Sequence, residues 1–402
     1  MSLTLDPVRL GRIHNWADRY TCERKFPGLS VLIRQGGDEV YYWQSGLRDL
    51  ATNAAFQRDT VARIYSMTKP ITSMILMMLA EEGRLHLDAP LSRYLPAFSD
   101  VRALRPGATD INQTEPCATP TLHQLLTHRS GLSYPFNPGL LPEAMAELDL
   151  LFKPTAGTLA DQCDVLATLP LAFAPGQRWE YSVGIDVIGR VIEVVTGDPL
   201  DQVFFQRILE PLGMTQTGFS VPDSALDRFA SLYTPLAGDA MDLNSGASGH
   251  GSLRLFDDAE NSPFRSTTCF SGGGGLVGSI DDYMAFAECL RLRGKGLVSP
   301  STADFMMSNH LVGDIASLGP ASFAEQPMEG MGFGIGGAVV IDPARSRVPS
   351  SPGDFSWGGM ASTFFWIDHV HDFSVVLFTQ LSPSSSYPAR AELKALVHGA
   401  LM

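Results

Sequence analysis

Strand-like runs stand near both ends of this 402-residue chain and are scarce between them. No other feature constrains the fold as tightly, because strands need partners and a single sheet must then be assembled from the two ends. Residues 29–34 and 40–45 are strand-like and are parted by Gln35-Gly36-Gly37-Asp38, a turn signal that makes them a hairpin. Residues 334–341, 361–367 and 373–380 are further strand runs. The last two are joined by Asp368-His369-Val370-His371-Asp372, a short polar connection suited to antiparallel pairing. The stretch 88–257 is rich in Pro, Gly and short helical segments (122–127, 184–196, 202–209). The expected fold is therefore α+β: an antiparallel sheet flanked by helices, built from 1–87 and 258–402, with a mainly helical, loop-rich subdomain, 88–257, inserted.

Helical periodicity marks 10–20, with Ile13, Trp16 and Ala17 on one face, and 280–293. The densest apolar helix is 68–82, carrying Ile71, Met74, Ile75, Met78 and Leu79 and ending at Gly83.

Composition removes several function classes. A net charge of −14 without clustered Lys or Arg argues against nucleic acid as a partner. The most apolar stretches run about ten residues, where a membrane span needs roughly 20, so no membrane partner is expected. The start, Met1-Ser2-Leu3-Thr4-Leu5-Asp6, lacks the basic and apolar regions of a signal peptide, and the expected location is the cytoplasm. Cys22, Cys117, Cys163, Cys269 and Cys289 show no C-x-x-C spacing, which disfavours a zinc site and a disulfide framework alike. The nine histidines form no H-E-x-x-H or comparable pattern, so neither metal nor cofactor is expected. No Gly-x-Ser-x-Gly elbow occurs, and the glycine run 272–275 is not followed by the Lys-Ser/Thr of a phosphate loop. The sequence does not indicate an oligomeric state.

Tyr65-Ser66-Met67-Thr68-Lys69 places Ser-x-x-Lys at the start of the strongest helix. Ser66 and Lys69 then lie one turn apart on one face, near unpaired N–H groups and the positive end of the helix dipole. A serine needs a base to become a nucleophile, and a lysine whose pKa is lowered by burial can be that base. The same residues also fit Ser66 as a simple N-cap with Lys69 in solvent.

In its context of Ile64 before, and an apolar helix and Gly83-Arg84-Leu85 after, the segment resembles the nucleophile region of class C serine β-lactamases, penicillin-binding proteins and family VIII carboxylesterases. Thr121-Leu122-His123-Gln124-Leu125-Leu126-Thr127-His128-Arg129-Ser130-Gly131-Leu132, Pro211-Leu212-Gly213-Met214 and Gly272-Gly273-Gly274-Gly275-Leu276 leading to Ser279 and Asp282 resemble the same superfamily in order. The likeness covers nearly the whole chain and implies a β-lactamase/transpeptidase-like fold.

The resemblance implies further site residues. Trp179-Glu180-Tyr181-Ser182-Val183 stands where the superfamily carries Tyr-x-Asn, which makes Tyr181 the expected general base, its phenolate favoured by the lysine ammonium. Val183 replaces the Asn and is an expected substrate contact that cannot hydrogen-bond a lactam side chain. Trp357-Gly358-Gly359 stands where Lys-Thr-Gly is usual, as in family VIII esterases; its glycines would open the backbone to ligand, and Trp357 removes the cation that holds a β-lactam carboxylate. The N–H groups of Ser66 and Met360 form the expected oxyanion hole.

With two polar handles for a β-lactam missing, the expected reaction is hydrolysis of a small carboxylic ester through a Ser66 acyl-enzyme. Alternatives are acyl transfer, as in the lovastatin-type acyltransferases, amide or β-lactam hydrolysis by the same Ser-Lys-Tyr set, and a non-catalytic scaffold role. The stretch 136–164, rich in Pro, Leu and Phe, is expected to line the acyl or alcohol pocket.

Overall fold

The computed structural model describes residues 3–237, 240, 243 and 248–402. Among these residues eight strands form one antiparallel sheet whose members come from both ends of the chain. The N-terminal part supplies β1 (Gly28–Gln35), β2 (Asp38–Asp49) and β3 (Ala54–Ala55). A separate ribbon, β4 (Leu232–Ala237) and β5 (Ser248–Asp257), and a small hairpin, β6 (Ser322–Phe323) and β7 (Gln326–Pro327), follow. The C-terminal part then adds β8 (Met331–Phe333), β9 (Ala338–Val340), β10 (Phe355–Gly358), β11 (Phe364–Asp368) and β12 (Phe373–Thr379) to the main sheet. The order is β8-β9-β10-β11-β12-β1-β2-β3, so the closure is the β1–β12 pair, running from Leu29 opposite Thr379 to Gln35 opposite Phe373.

Both faces of this sheet are covered, which is why β1 and β12 read as continuous apolar runs and do not alternate with polar residues. Alternate residues go to opposite sides. Leu29, Val31, Ile33, Val375 and Leu377 pack with Ile13, Trp16 and Tyr20 of α1 (Arg12–Cys22) and Leu393 and Val397 of the C-terminal helix. Leu32, Val376 and Phe378 instead face the larger core, shared with α2 (Thr68–Glu81), α4 (Gly184–Thr196) and α5 (Ile280–Arg291). Between them in sequence lies α3 (Leu122–Leu126), entered through a capping box in which Thr121 and Gln124 satisfy each other's backbone N–H groups. The C-terminal helix, α6, spans Ala389–His398.

Three features depart from the sequence reading. Residues 355–358, not among the strand runs read from the sequence, are strand β10, paired on both sides by β9 and β11. The middle of the chain holds the β4–β5 ribbon, which the sequence reading did not anticipate there. The segment read as one helix at 202–209 is split into Leu200–Phe204 and a π-helical turn, Phe205–Leu209. No helix among the described residues is long and apolar enough to cross a membrane.

Candidate active site

Ser66 sits in a 3-10 turn, Tyr65–Met67, that feeds directly into α2. Tyr65 before it has φ +41, an unusual conformation for a residue with a side chain, and this sharp entry turns Ser66 out of the helix axis. Ser66 is not an N-cap: its hydroxyl is engaged by two side chains. Lys69 Nζ donates to Ser66 Oγ at 3.1 Å, and Tyr181 Oη donates to the same oxygen at 2.6 Å. Lys69 is not in solvent either, since its relative exposure is 0%.

Two further contacts hold Lys69, to Tyr134 Oη at 3.0 Å and to the Gly273 carbonyl at 2.7 Å. Three oxygens thus surround Nζ, enough to take all three N–H groups of the ammonium, whereas the uncharged amine would use two and leave its lone pair for the third. Behind them lies buried Asp186, which accepts from Ser271 Oγ, from the Gly273 N–H at 3.0 Å and from Tyr134 Oη at 3.4 Å. Tyr134, Asp186 and the Gly273 carbonyl were missed in the sequence. Nothing distinguishes that tyrosine or aspartate by spacing, although the 272–275 glycines were a usable signal. A Cβ on Gly273 would stand 2.2 Å from Asp186 Oδ2, and one on Gly272 2.8 Å from the Ile185 carbonyl. The run is glycine because α4 and its aspartate press against it.

Burial sets the protonation of the site. It lowers Lys69 to about 7, partly opposed by the charge of Asp186. It pushes Tyr181 well above the ordinary phenol range, an effect that the hydrogen bond to Ser66 only partly offsets. The sequence expectation was Tyr181 as general base through its phenolate, whereas burial favours its protonated form. Desolvation penalises the charged form of both groups and so favours an uncharged amine on Lys69 and a protonated Tyr181. His128, also pushed down by burial, supports Tyr181 from behind, its ring 4.8 Å from the tyrosine ring and its Nδ1 accepting from the Ser182 N–H. Asn137 Nδ2 fixes the Tyr181 carbonyl at 2.9 Å.

Two cavities meet at Ser66. The larger, about 330 Å³, is lined by Tyr134, Phe136, Leu151, Phe152, Tyr181 and Met360, with Ser66 at its base, so part of the 136–164 stretch does face it. The smaller, about 30 Å³, holds Trp357, Gly358, Gly359 and Arg390. Ser66 and Met360 border both.

Gly358 and Gly359 border the smaller cavity as expected, and their missing side chains also make room for the chain itself. A Cβ on Gly359 would lie 2.3 Å from the Ile64 carbonyl, and one on Gly358 2.6 Å from the Arg390 guanidinium carbon. Their absent side chains let β10 close onto the residue two before Ser66, which brings Met360 to the nucleophile. Trp357 packs against Tyr181 at 5.4 Å between ring centres. Val183, in contrast, is fully buried at the start of α4 and lines neither cavity; its N–H donates to the Ser133 carbonyl. It shapes the core under Tyr181 and is not brought to the substrate space.

Outside this region Asp354, Asp368 and His398 could converge on a cation, their ligand atoms within 4.8 Å of one another. Lys394 Nζ lies 3.4 Å from Asp354 and supplies positive charge there itself.

The Beta-lactamase family model matches residues 13–399. The chain belongs to that family, the serine β-lactamase-like superfamily. Within it, this chain is 33% identical over 389 residues to Esterase EstB of Burkholderia gladioli, covering 94% of this chain and 92% of the relative. Among solved structures it is similar to EstCE1, a hydrolase with promiscuous acyltransferase activity, at TM-score 0.79 and 28% identity, covering 98% of each chain. It is likewise similar to Simvastatin Synthase (LovD) from Aspergillus terreus, at TM-score 0.78 and 26% identity over 98% of each chain. These neighbours share the α+β architecture with its large antiparallel sheet.

Proposed function

We propose that this member of the family is a carboxylesterase that cleaves small, uncharged esters through an acyl-enzyme on Ser66. The observation that carries the proposal is the placement of Ser66 Oγ between the Lys69 amine and the Tyr181 hydroxyl at the base of an apolar cavity. Lys69 takes the Ser66 proton as the hydroxyl attacks the ester carbonyl. The N–H groups of Ser66 and Met360 hold the oxyanion, each such donor being worth about 2.7–4 kcal/mol in the transition state. Tyr181, still protonated, passes its proton to the leaving alkoxide and recovers one from the lysine side; in the second half the same pair activates water. The esterase named among its relatives supports the reaction class. All five cysteines are free thiols, which favours a reducing compartment such as the cytoplasm.

The test is hydrolysis of short p-nitrophenyl esters and of nitrocefin by wild type and Ser66→Ala. Ester turnover that disappears in the variant, with little nitrocefin cleavage, is expected; faster nitrocefin cleavage would overturn the preference for esters. Acyl transfer is a second reading, favoured by the acyltransferase activity named for EstCE1. Adding an alcohol acceptor separates the two: a new ester forms in place of free acid if transfer dominates.

A further inference from the structure

The smaller cavity ends on an arginine whose hydrogen-bonding capacity is only partly used. Arg390, 7% exposed on α6, donates from Nη2 to the Gly359 carbonyl at 3.1 Å, and its Nε makes no hydrogen bond to a described residue. Facing it is Glu325, at the tip of the β6–β7 hairpin, with Oε1 3.9 Å from Arg390 Nε and a side chain 9% exposed. Neither carboxylate oxygen of Glu325 accepts a hydrogen bond from a described residue.

The backbone there is unusual as well. Ala324 and Glu325 form a two-residue turn with φ +47 and φ +63, a conformation that Asn and Gly adopt readily and that these two residues do not. A strained turn carrying a buried, unbonded carboxylate is unfavourable twice over, and such features persist where they serve a site. Ala324 and Gln326, on either side of Glu325, line the cavity with Ser66, and so does Arg390.

We propose that Glu325 is a specificity-determining residue that occupies Arg390 and so excludes esters bearing a carboxylate from the smaller cavity. An arginine fork is built for carboxylates. Here the chain's own carboxyl stands opposite that fork, and an incoming anion meets a like charge where it would otherwise meet an unopposed cation. Burial pushes the Glu325 acid up to about 8, with Arg390 opposing the rise, so the exclusion is fullest at alkaline pH. The groups facing Glu325 are Arg390 from α6 and, more weakly, Tyr20 from α1, whose own acid is raised mainly by burial and slightly by Glu325.

This inference rests on the esterase reading above. It is tested at pH 9 with two matched pairs of esters: mono-p-nitrophenyl glutarate against p-nitrophenyl pentanoate, and 3-acetoxybenzoate against 3-acetoxybenzamide. The readout is the ratio of kcat/KM for the anionic member to that for the neutral member, so a loss common to both cancels. Wild type is expected to disfavour the anionic member at least tenfold in both pairs. Glu325→Gln is expected to raise the ratio at least tenfold in one or both, and adding Arg390→Gln to that variant to abolish the gain. Equal use of both members by wild type overturns the proposal whether or not any variant folds, and so does an unchanged ratio in folded Glu325→Gln. Failure of the esterase reading is distinct: the neutral esters would then not be cleaved in a Ser66-dependent way.

Discussion

Ser66 and Lys69 form one unit, and burial decides how that unit works. A lysine amine lowered to about 7 is protonated and idle in mild acid and free to accept the Ser66 proton above that point. The kcat/KM for a neutral ester should therefore rise with pH through a limb near 7. Asp186 opposes the lowering of Lys69, so Asp186→Asn should move that limb to lower pH, as a pH–rate profile would show; a limb that stays or moves upward would contradict the assignment. Tyr181→Phe makes a complementary prediction. Loss of a proton-relay group should lower kcat by about 10²–10⁴, while the limb stays near 7 because Lys69 sets it. If the limb vanished with the tyrosine hydroxyl, Tyr181 would be the base after all. At this scale the sequence was legible where chemistry is local: Ser66 and Lys69 are one helical turn apart. Tyr134 and Asp186 reach Lys69 only through the tertiary fold, 65 and 117 residues farther along, and no spacing rule connects them.

Among the elements, the glycine loop 272–275 and α4 act as a matched pair around the lysine. Gly273 must lack a side chain because Asp186 of α4 fills that space, whereas a Cβ on the neighbouring Gly274 would meet nothing closer than 3.8 Å. Gly273→Ala should thus displace the carbonyl that holds Lys69, lower stability by about 1–3 kcal/mol and slow fluorophosphonate labelling of Ser66 at least tenfold. Gly274→Ala should keep wild-type stability. Thermal unfolding and labelling rates of the two variants, side by side, decide the matter, and equal destabilisation by both would refute the packing argument. Most elements of the sheet were legible, since β1, β11 and β12 are apolar runs and β2 follows β1 across the turn signal at 35–38. Strand β10 was not: it is four residues long and ends on Gly358, so its pairing comes from β9 and β11 and owes little to its own propensity. The β6–β7 hairpin escaped for a related reason, because its turn residues, Ala324 and Glu325, are not turn formers.

Over the whole molecule, the sheet and the inserted middle share one interior. Leu32, Phe365 and Phe378 of the sheet belong to the same contiguous core as Ile71 and Ile75 of α2, Leu125 of α3 and Ile188 and Ile192 of α4. An independent domain would bury its own core, and the boundaries at 88 and 257 read from strand distribution mark a change of secondary structure within that shared interior. Chains of this size often unfold through intermediates, so the expectation of one transition is a specific one. The central pair reinforces it: Thr379 Oγ1 of β12 donates to the Gly28 carbonyl of β1 across 351 residues, so the two ends of the chain are joined in the middle of the sheet. Heating should therefore remove far-UV circular dichroism, tryptophan fluorescence and Ser66 labelling together, with midpoints within about 2 °C. Trp179 reports on the inserted stretch and Trp366 on the sheet, both being fully buried. A Trp179 transition well below that of Trp366 would show the middle melting as a separate unit, and Ser66, which meets Lys69 from one and Tyr181 from the other, would then lose its Tyr181 contact before the sheet lost its strands.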